Sequence, residues 1–262
     1  MPEYGGRLKA GSYDFMRTVS GEHVVYAEVR FAPLLSVYEN MDCRAVIESV
    51  LEGLEKGRED FGTDFGVIVC AMRHMSLEEN LEMLKVSREF LGSGVCAADL
   101  AGNEAAFPMS IFGPLFAQVK KWEMPFTIHA GECGDAGNIA DAISCGAGRI
   151  GHGIAMSGHP DLIELCRNRH TGIEMCPISN MQTKAVQDIR LYPMKEYLEK
   201  GLLVTVNTDN RTVSNTSLKK EIGFIQKHFG ITREEVLVMM RNAAEAAFAS
   251  DSMKHRLLQI FK

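Results

Sequence analysis

Seven short apolar runs, each followed by a stretch with helical spacing, constrain this chain more than any other feature. In order they are residues 24–31 ("VVYAEVRF"), 65–72 ("FGVIVCAM"), 95–102 ("VCAADLAG"), "FTIHAGE", "RIGHG", "GIEMCP" and "LLVTVNTDN". The stretches between them carry helix-start signals. Asp42 precedes "CRAVIESVLEGLEKG" as an N-cap, and Ser76-Leu77-Glu78-Glu79 and Thr232-Arg233-Glu234-Glu235 are capping boxes. Further helices are expected over 110–122, 138–145, 160–169 and 193–200, and three close the chain. Consecutive strand–helix units imply parallel strands, and unbroken apolar runs imply strands buried on both faces. A doubly wound sheet and a (β/α) barrel both satisfy that pattern. Polar residues decide between them. They fall at the carboxyl ends of strands far apart in the chain, at Glu132, His152 and Asp209. A barrel gathers such ends around one mouth, whereas an open sheet uses only its switch point. Neither G-x-G-x-x-G after the first strand nor G-x-x-x-x-G-K-[ST] is present. The expectation is an α/β chain folded as a TIM-type (β/α) barrel, one domain over residues 1–262.

Composition bounds the function classes. The 262 residues carry a formal charge of −6, without a basic block, which excludes nucleic acid and anionic membrane as main partners because phosphate binding needs a basic face. No window of about 18 apolar residues exists to span a bilayer, and "MPEYGGRLKAGSYDF" lacks the apolar core of a signal peptide. The seven cysteines are odd in number and without C-x-x-C pairs. That usage fits reduced thiols in a cytoplasmic protein.

Taken singly, the polar strand ends have ordinary explanations. His129 suits a hydrogen-bonded core histidine, Glu132 and Asp209 suit helix caps, and His152 suits a loop between two glycines. Their recurrence at successive strand ends of a barrel reverses that ranking. Neutral imidazole and carboxylate are good zinc ligands, which makes His129 and Asp209 the metal candidates. Glu132 is placed for acid–base work. Tyr26, Glu28 and Arg30 share one strand face by the two-residue period. A charge network of Glu28 and Arg30 with Asp99 weighs equally against separate solvated charges.

The segments "YAEVRFAP", "DLAGNE", "TIHAGE", "RIGHG", "CPISNMQTKAV" and "VNTDN", in this order, closely resemble the adenosine deaminase family of the amidohydrolase superfamily, from about Gly11 to the end of the chain. The resemblance implies a zinc-dependent barrel that hydrolyses adenosine or deoxyadenosine to the inosine form and releases ammonia, with a purine nucleoside as its small-molecule partner. It makes His129 and Asp209 zinc ligands and Glu132 the carboxyl that protonates purine N1. His152, helped by Asp209, orients or deprotonates the attacking water. Gly102 offers a backbone N–H to purine N3, and Asn210 contacts N7. The other zinc deaminases use H-x-E with P-C-x-x-C, and neither pattern is present.

The chain departs from the family at one place. The family opens on a strand bearing H-x-H, two zinc ligands, and no two of the eight histidines here are separated by one residue. The expectation is a barrel of seven recognisable strands that lacks the first. Its two open edges invite self-association or a complementing N-terminal segment. The alternative reading is a catalytically inactive barrel remnant that binds purine nucleosides or a partner chain.

Overall fold

The computed structural model describes residues 2–133 and 135–261. Seven strands alternate with helices as the periodicity requires: α1 (Pro2–Gly21), β1 (Tyr26–Phe31), α2 (Cys43–Phe61), β2 (Asp64–Met72), α3 (Leu77–Arg88), β3 (Val95–Ala101), α4 (Gly113–Lys121), β4 (Thr127–Ala130), α5 (Ala136–Cys145), β5 (Arg149–His152), α6 (Pro160–Asn168), β6 (Gly172–Met175), α7 (Pro177–Gln182), α8 (Met194–Glu199), β7 (Leu203–Val206), α9 (Leu218–Phe229), α10 (Arg233–Ala246) and α11 (Asp251–Ile260). The start signals work as read. Asp42 accepts the Ala45 N–H, and both capping boxes, Ser76 with Glu79 and Thr232 with Glu235, are closed. The helix expected over 110–122 is divided. A 3₁₀ turn at Met109–Phe112 precedes α4, because Pro114 has no N–H to give and suits a helix start.

The chain forms two compact units. The first holds the described residues up to Leu100 together with Gln118–Pro125. Its sheet has the order β1-β2-β3, with β1 parallel to β2 from Tyr26↔Asp64 to Phe31↔Val69. Val67, Val69, Ala97 and Leu100 of this sheet are buried, as are Val46, Ile47 and Leu54 of α2. Asp99 is fully buried, and the Arg30 guanidinium lies 3.2 Å from its carboxylate. Tyr26 donates to Glu28 at 3.1 Å. The Arg30 charge is therefore paired with Asp99, and Glu28 is hydrogen-bonded by Tyr26.

Helices α1 and α2 pack closely in this unit because two glycines of α2 present no side chain. A methyl at Gly53 would fall well inside contact distance of the Lys9 carbonyl and Ser12 Oγ, and one at Gly57 would meet Met16. Gly53→Ala should therefore lower stability by about 1–3 kcal/mol, although alanine is the better helix former. Thermal unfolding measures it, and an unchanged or raised midpoint would contradict this packing.

The second unit holds Ala101–Ala117 and the described residues from Phe126 onward. Its four strands run parallel in the order β4-β5-β6-β7. Ile128, Ile150, Ile173 and Val204 are fully buried at their centres, with Ile139 and Ala142 of α5 and Tyr197 of α8 buried too. The register places His129 opposite Gly151. A Cβ at Gly151 would stand 3.2 Å from His129 Cα and 3.4 Å from its Nδ1, so the missing side chain makes room for the imidazole. No helix among the described residues is long and apolar enough to cross a membrane, and no disulfide joins the seven cysteines.

Candidate active site

The carboxyl ends of β4 to β7 carry the site. His129 is in β4, and Glu132 follows it across Gly131, whose φ of 75° is in the left-handed region. His152 ends β5 with φ 66°, and Asp209 follows β7 with φ 51°. A left-handed backbone at a non-glycine residue is costly and persists where its surroundings hold it. Two of the expected site residues are thus held in uncommon conformations at strand ends.

The side chains of β4 and β5 meet directly. The His129 and His152 rings lie 5.0 Å apart at an interplanar angle of 59°. His152 is buried, and its Nε2 is 3.6 Å from Glu132 Oε2. The amide of Asn180 joins the pair: Nδ2 is 2.9 Å from His152 Nδ1 and donates to Glu132 Oε1 at 3.4 Å. Thr183 Oγ1 donates to the same carboxylate oxygen at 3.4 Å. An amide NH₂ can only donate, so Nδ1 of His152 accepts, and the neutral ring carries its proton on Nε2, facing Glu132. Tyr192 orients that amide by donating to Asn180 Oδ1 at 3.0 Å. Burial pushes the Tyr192 phenol well above its usual range and keeps it a donor.

Asp209 connects through the neighbouring residue. Ser179 Oγ donates to Asp209 Oδ2 at 2.6 Å. Behind it stands Glu221, fully buried, which accepts from Thr216 Oγ1 at 2.8 Å and from the Ile178 N–H at 3.2 Å. Burial raises the Glu221 carboxyl to about 7, and the charge of Asp209 pushes the same way, while the two hydrogen bonds oppose it.

Helix α7 is the hub of these contacts, through Ile178, Ser179 and Asn180, with Thr183 just beyond it. The sequence reading placed residues 172–177 in a strand and assigned no role to Ser179 or Asn180. The strand stops at Met175, and Pro177 opens the helix. X-Pro disfavours a helical residue before it and Pro suits the first helical position, which was the available signal. Glu104 was also passed over. It is buried, and its carboxylate accepts from the backbone N–H groups of Gly131 and Cys133. Gly102 and Asn210 are exposed. Gly102 has φ 113°, and Asn210 Oδ1 accepts the Val213 N–H at 3.0 Å, turning the chain after Asp209.

The donor set bears on zinc. The His129 imidazole and the Asp209 carboxylate are zinc-type ligands, but a catalytic zinc site takes three protein ligands. Among the described residues no group of three or more His, Cys, Asp or Glu side chains is arranged to hold a metal ion. These residues alone do not make a complete zinc site.

Comparison with known proteins concerns the chain as a whole. The adenosine deaminase family profile matches residues 7–261. The adenosine deaminase of Enterococcus faecalis is 38% identical over 252 residues, covering 96% of this chain and 75% of that protein. An adenine deaminase structure from Arthrobacter aurescens superposes with a TM-score of 0.90 at 24% identity, over 98% of this chain and 79% of the other. An Arabidopsis N6-mAMP deaminase superposes with a TM-score of 0.86 at 26% identity, over 97% and 77%. A profile that spans the chain from near its first residue to its last helix, with a relative of this identity over most of its own length, leaves one assignment: the chain belongs to the adenosine deaminase family.

Proposed function

We propose that this chain carries the purine-nucleoside site of a hydrolytic deaminase, which converts adenosine or deoxyadenosine and water to the inosine form and ammonia. The observation that supports the reading best is the Glu132–His152 pair, an acid and an imidazole held side by side by one oriented amide. Glu132 delivers a proton to purine N1, which withdraws electrons from C6 and opens it to water. His152, its Nδ1 held by Asn180, orients the attacking water, and the Asp209 carboxylate takes the proton that the water loses. The amino group of the tetrahedral C6 adduct takes up the proton removed from the water and leaves as ammonia, and the C6 hydroxyl returns its proton to Glu132 as the C6 carbonyl forms. Gly102 offers its N–H to purine N3 and Asn210 its amide N–H to N7, a donor that works at any pH. Zinc is the proposed cofactor. His129 and Asp209 supply two of its ligands, and a complementing segment at the sheet edges supplies the rest.

The test is adenosine hydrolysis with bound zinc measured in parallel, with and without an added peptide bearing H-x-H. Turnover with stoichiometric zinc supports the proposal. Purine binding seen by calorimetry, with neither zinc nor turnover under any condition, would replace it with a nucleoside-binding remnant. His129→Ala should lower the zinc content to less than half of the parent's, since removing a ligand or even its orienting partner costs about 10–100-fold in affinity. Retained stoichiometric zinc would remove His129 from the ligand set.

A further inference from the structure

We propose that Glu104 is the positioning residue for Glu132, a role that rests on the acid assignment made above. Glu132 stands between two residues whose backbone N–H groups are both held by Glu104. Gly131 N donates to Glu104 Oε2 at 2.8 Å, and Cys133 N donates to Oε1 at 2.6 Å. One carboxylate therefore grips the chain on either side of the acid, and each oxygen fixes one peptide. Glu104 is only 3% exposed and Gly131 is buried, so water offers the Gly131 N–H little replacement. Hydrogen bonds to a charged acceptor are shorter and stronger than neutral ones, and the two distances agree with that.

Glu104 is itself held. Asn138 Nδ2 donates to Oε2 at 3.1 Å, and Asn138 Oδ1 accepts the Met109 N–H at 2.7 Å. Asn103, the preceding residue, folds its own turn by accepting the Ala105 and Ala106 N–H groups at 3.1 Å each. The segment 131–133 leaves β4 through a left-handed glycine, a conformation with wide freedom unless fixed from outside. Glu104 supplies that restraint. It sets the direction in which the Glu132 side chain leaves the backbone, towards Asn180, Thr183 and His152.

Glu104→Gln tests this. Glutamine keeps the shape, but its NH₂ faces one of the two N–H groups, donor against donor. Amide exchange at whichever of Gly131 and Cys133 meets that NH₂ should quicken about tenfold, with exchange in α9–α11 unchanged. In the zinc-loaded protein, kcat should fall about 10- to 100-fold with KM within about threefold, the pattern of a lost transition-state contact. The double variant Glu104→Gln/Glu132→Gln should be no slower than Glu132→Gln, because residues acting as one unit are not additive. Additive losses, or unchanged exchange at both amides, would overturn the proposal. Full turnover in Glu132→Gln would instead overturn the acid role beneath it, and the exchange measurement reads the grip of Glu104 independently of turnover. If Glu104→Gln fails to fold, Glu104→Asp serves. It keeps the charge but shortens the reach, so one of the two amides should exchange faster than in the parent, and neither doing so would overturn the proposal.

Discussion

Glu132→Gln is expected to slow inosine formation by about 10²–10⁴-fold, the usual contribution of a positioned general acid, while leaving zinc content and fold unchanged. The amide is isosteric and its oxygen can still accept from Asn180 and Thr183, which meet Glu132 Oε1 at 3.4 Å. It cannot deliver a proton to purine N1. Its NH₂ would also face His152 Nε2, which lies 3.6 Å from Glu132 Oε2 and carries the ring proton while Asn180 occupies Nδ1. Two donors then oppose each other and the pair loses its alignment. Single-turnover conversion of adenosine, with metal analysis and far-UV circular dichroism as controls, is the measurement. Unchanged turnover would contradict the assignment, and lost zinc would make Glu132 a support of the metal rather than an acid.

The largest expected loss of stability lies away from the site. Arg149 and Glu174 form a buried ion pair, with Arg149 Nε 2.6 Å from Glu174 Oε1. Thr127 Oγ1 also donates to that carboxylate at 3.1 Å. The guanidinium donates to the Ala246 carbonyl at 3.1 Å and lies 3.9 Å from the Phe248 ring centre. Arg149→Met removes the cation and strands Glu174 in the core of the second unit. Breaking a buried pair in this way costs about 3–5 kcal/mol, which in a chain of this size lowers the unfolding midpoint by on the order of 10 °C. The double variant Arg149→Met/Glu174→Met should regain much of that loss, because a buried pair often exchanges for apolar residues at little cost. Thermal unfolding of the three proteins decides. A small effect of Arg149→Met alone would mean that water reaches Glu174.

How much of this was legible in the residues follows from range. The strands and helices were readable because their periods are local, and the caps at Asp42, Ser76 and Thr232 lie within three residues of the N–H groups they hold. The adenosine deaminase resemblance was readable because six motifs recur in order, and the family profile agrees with it. His129, Glu132, His152 and Asp209 stood out because imidazoles and carboxylates are uncommon at the ends of apolar strands. Helix α7 escaped because Pro177, which opens it, was read as the end of the apolar run before it.

The tertiary structure alone decided which side chains meet. Asn180 reaches Glu132 and His152 across 48 and 28 residues, and Glu104 reaches Cys133 across 29. A hydrogen bond needs its two atoms placed to within a few tenths of an ångström, and over such separations only the folded strands fix that placement. The sequence by itself determined the elements, the family and the chemical groups at the strand ends. The pairing of Glu132 with His152, and the Glu104 grip on the segment between Gly131 and Cys133, arise only once the chain has folded, because no local pattern encodes a distance between residues so far apart along it.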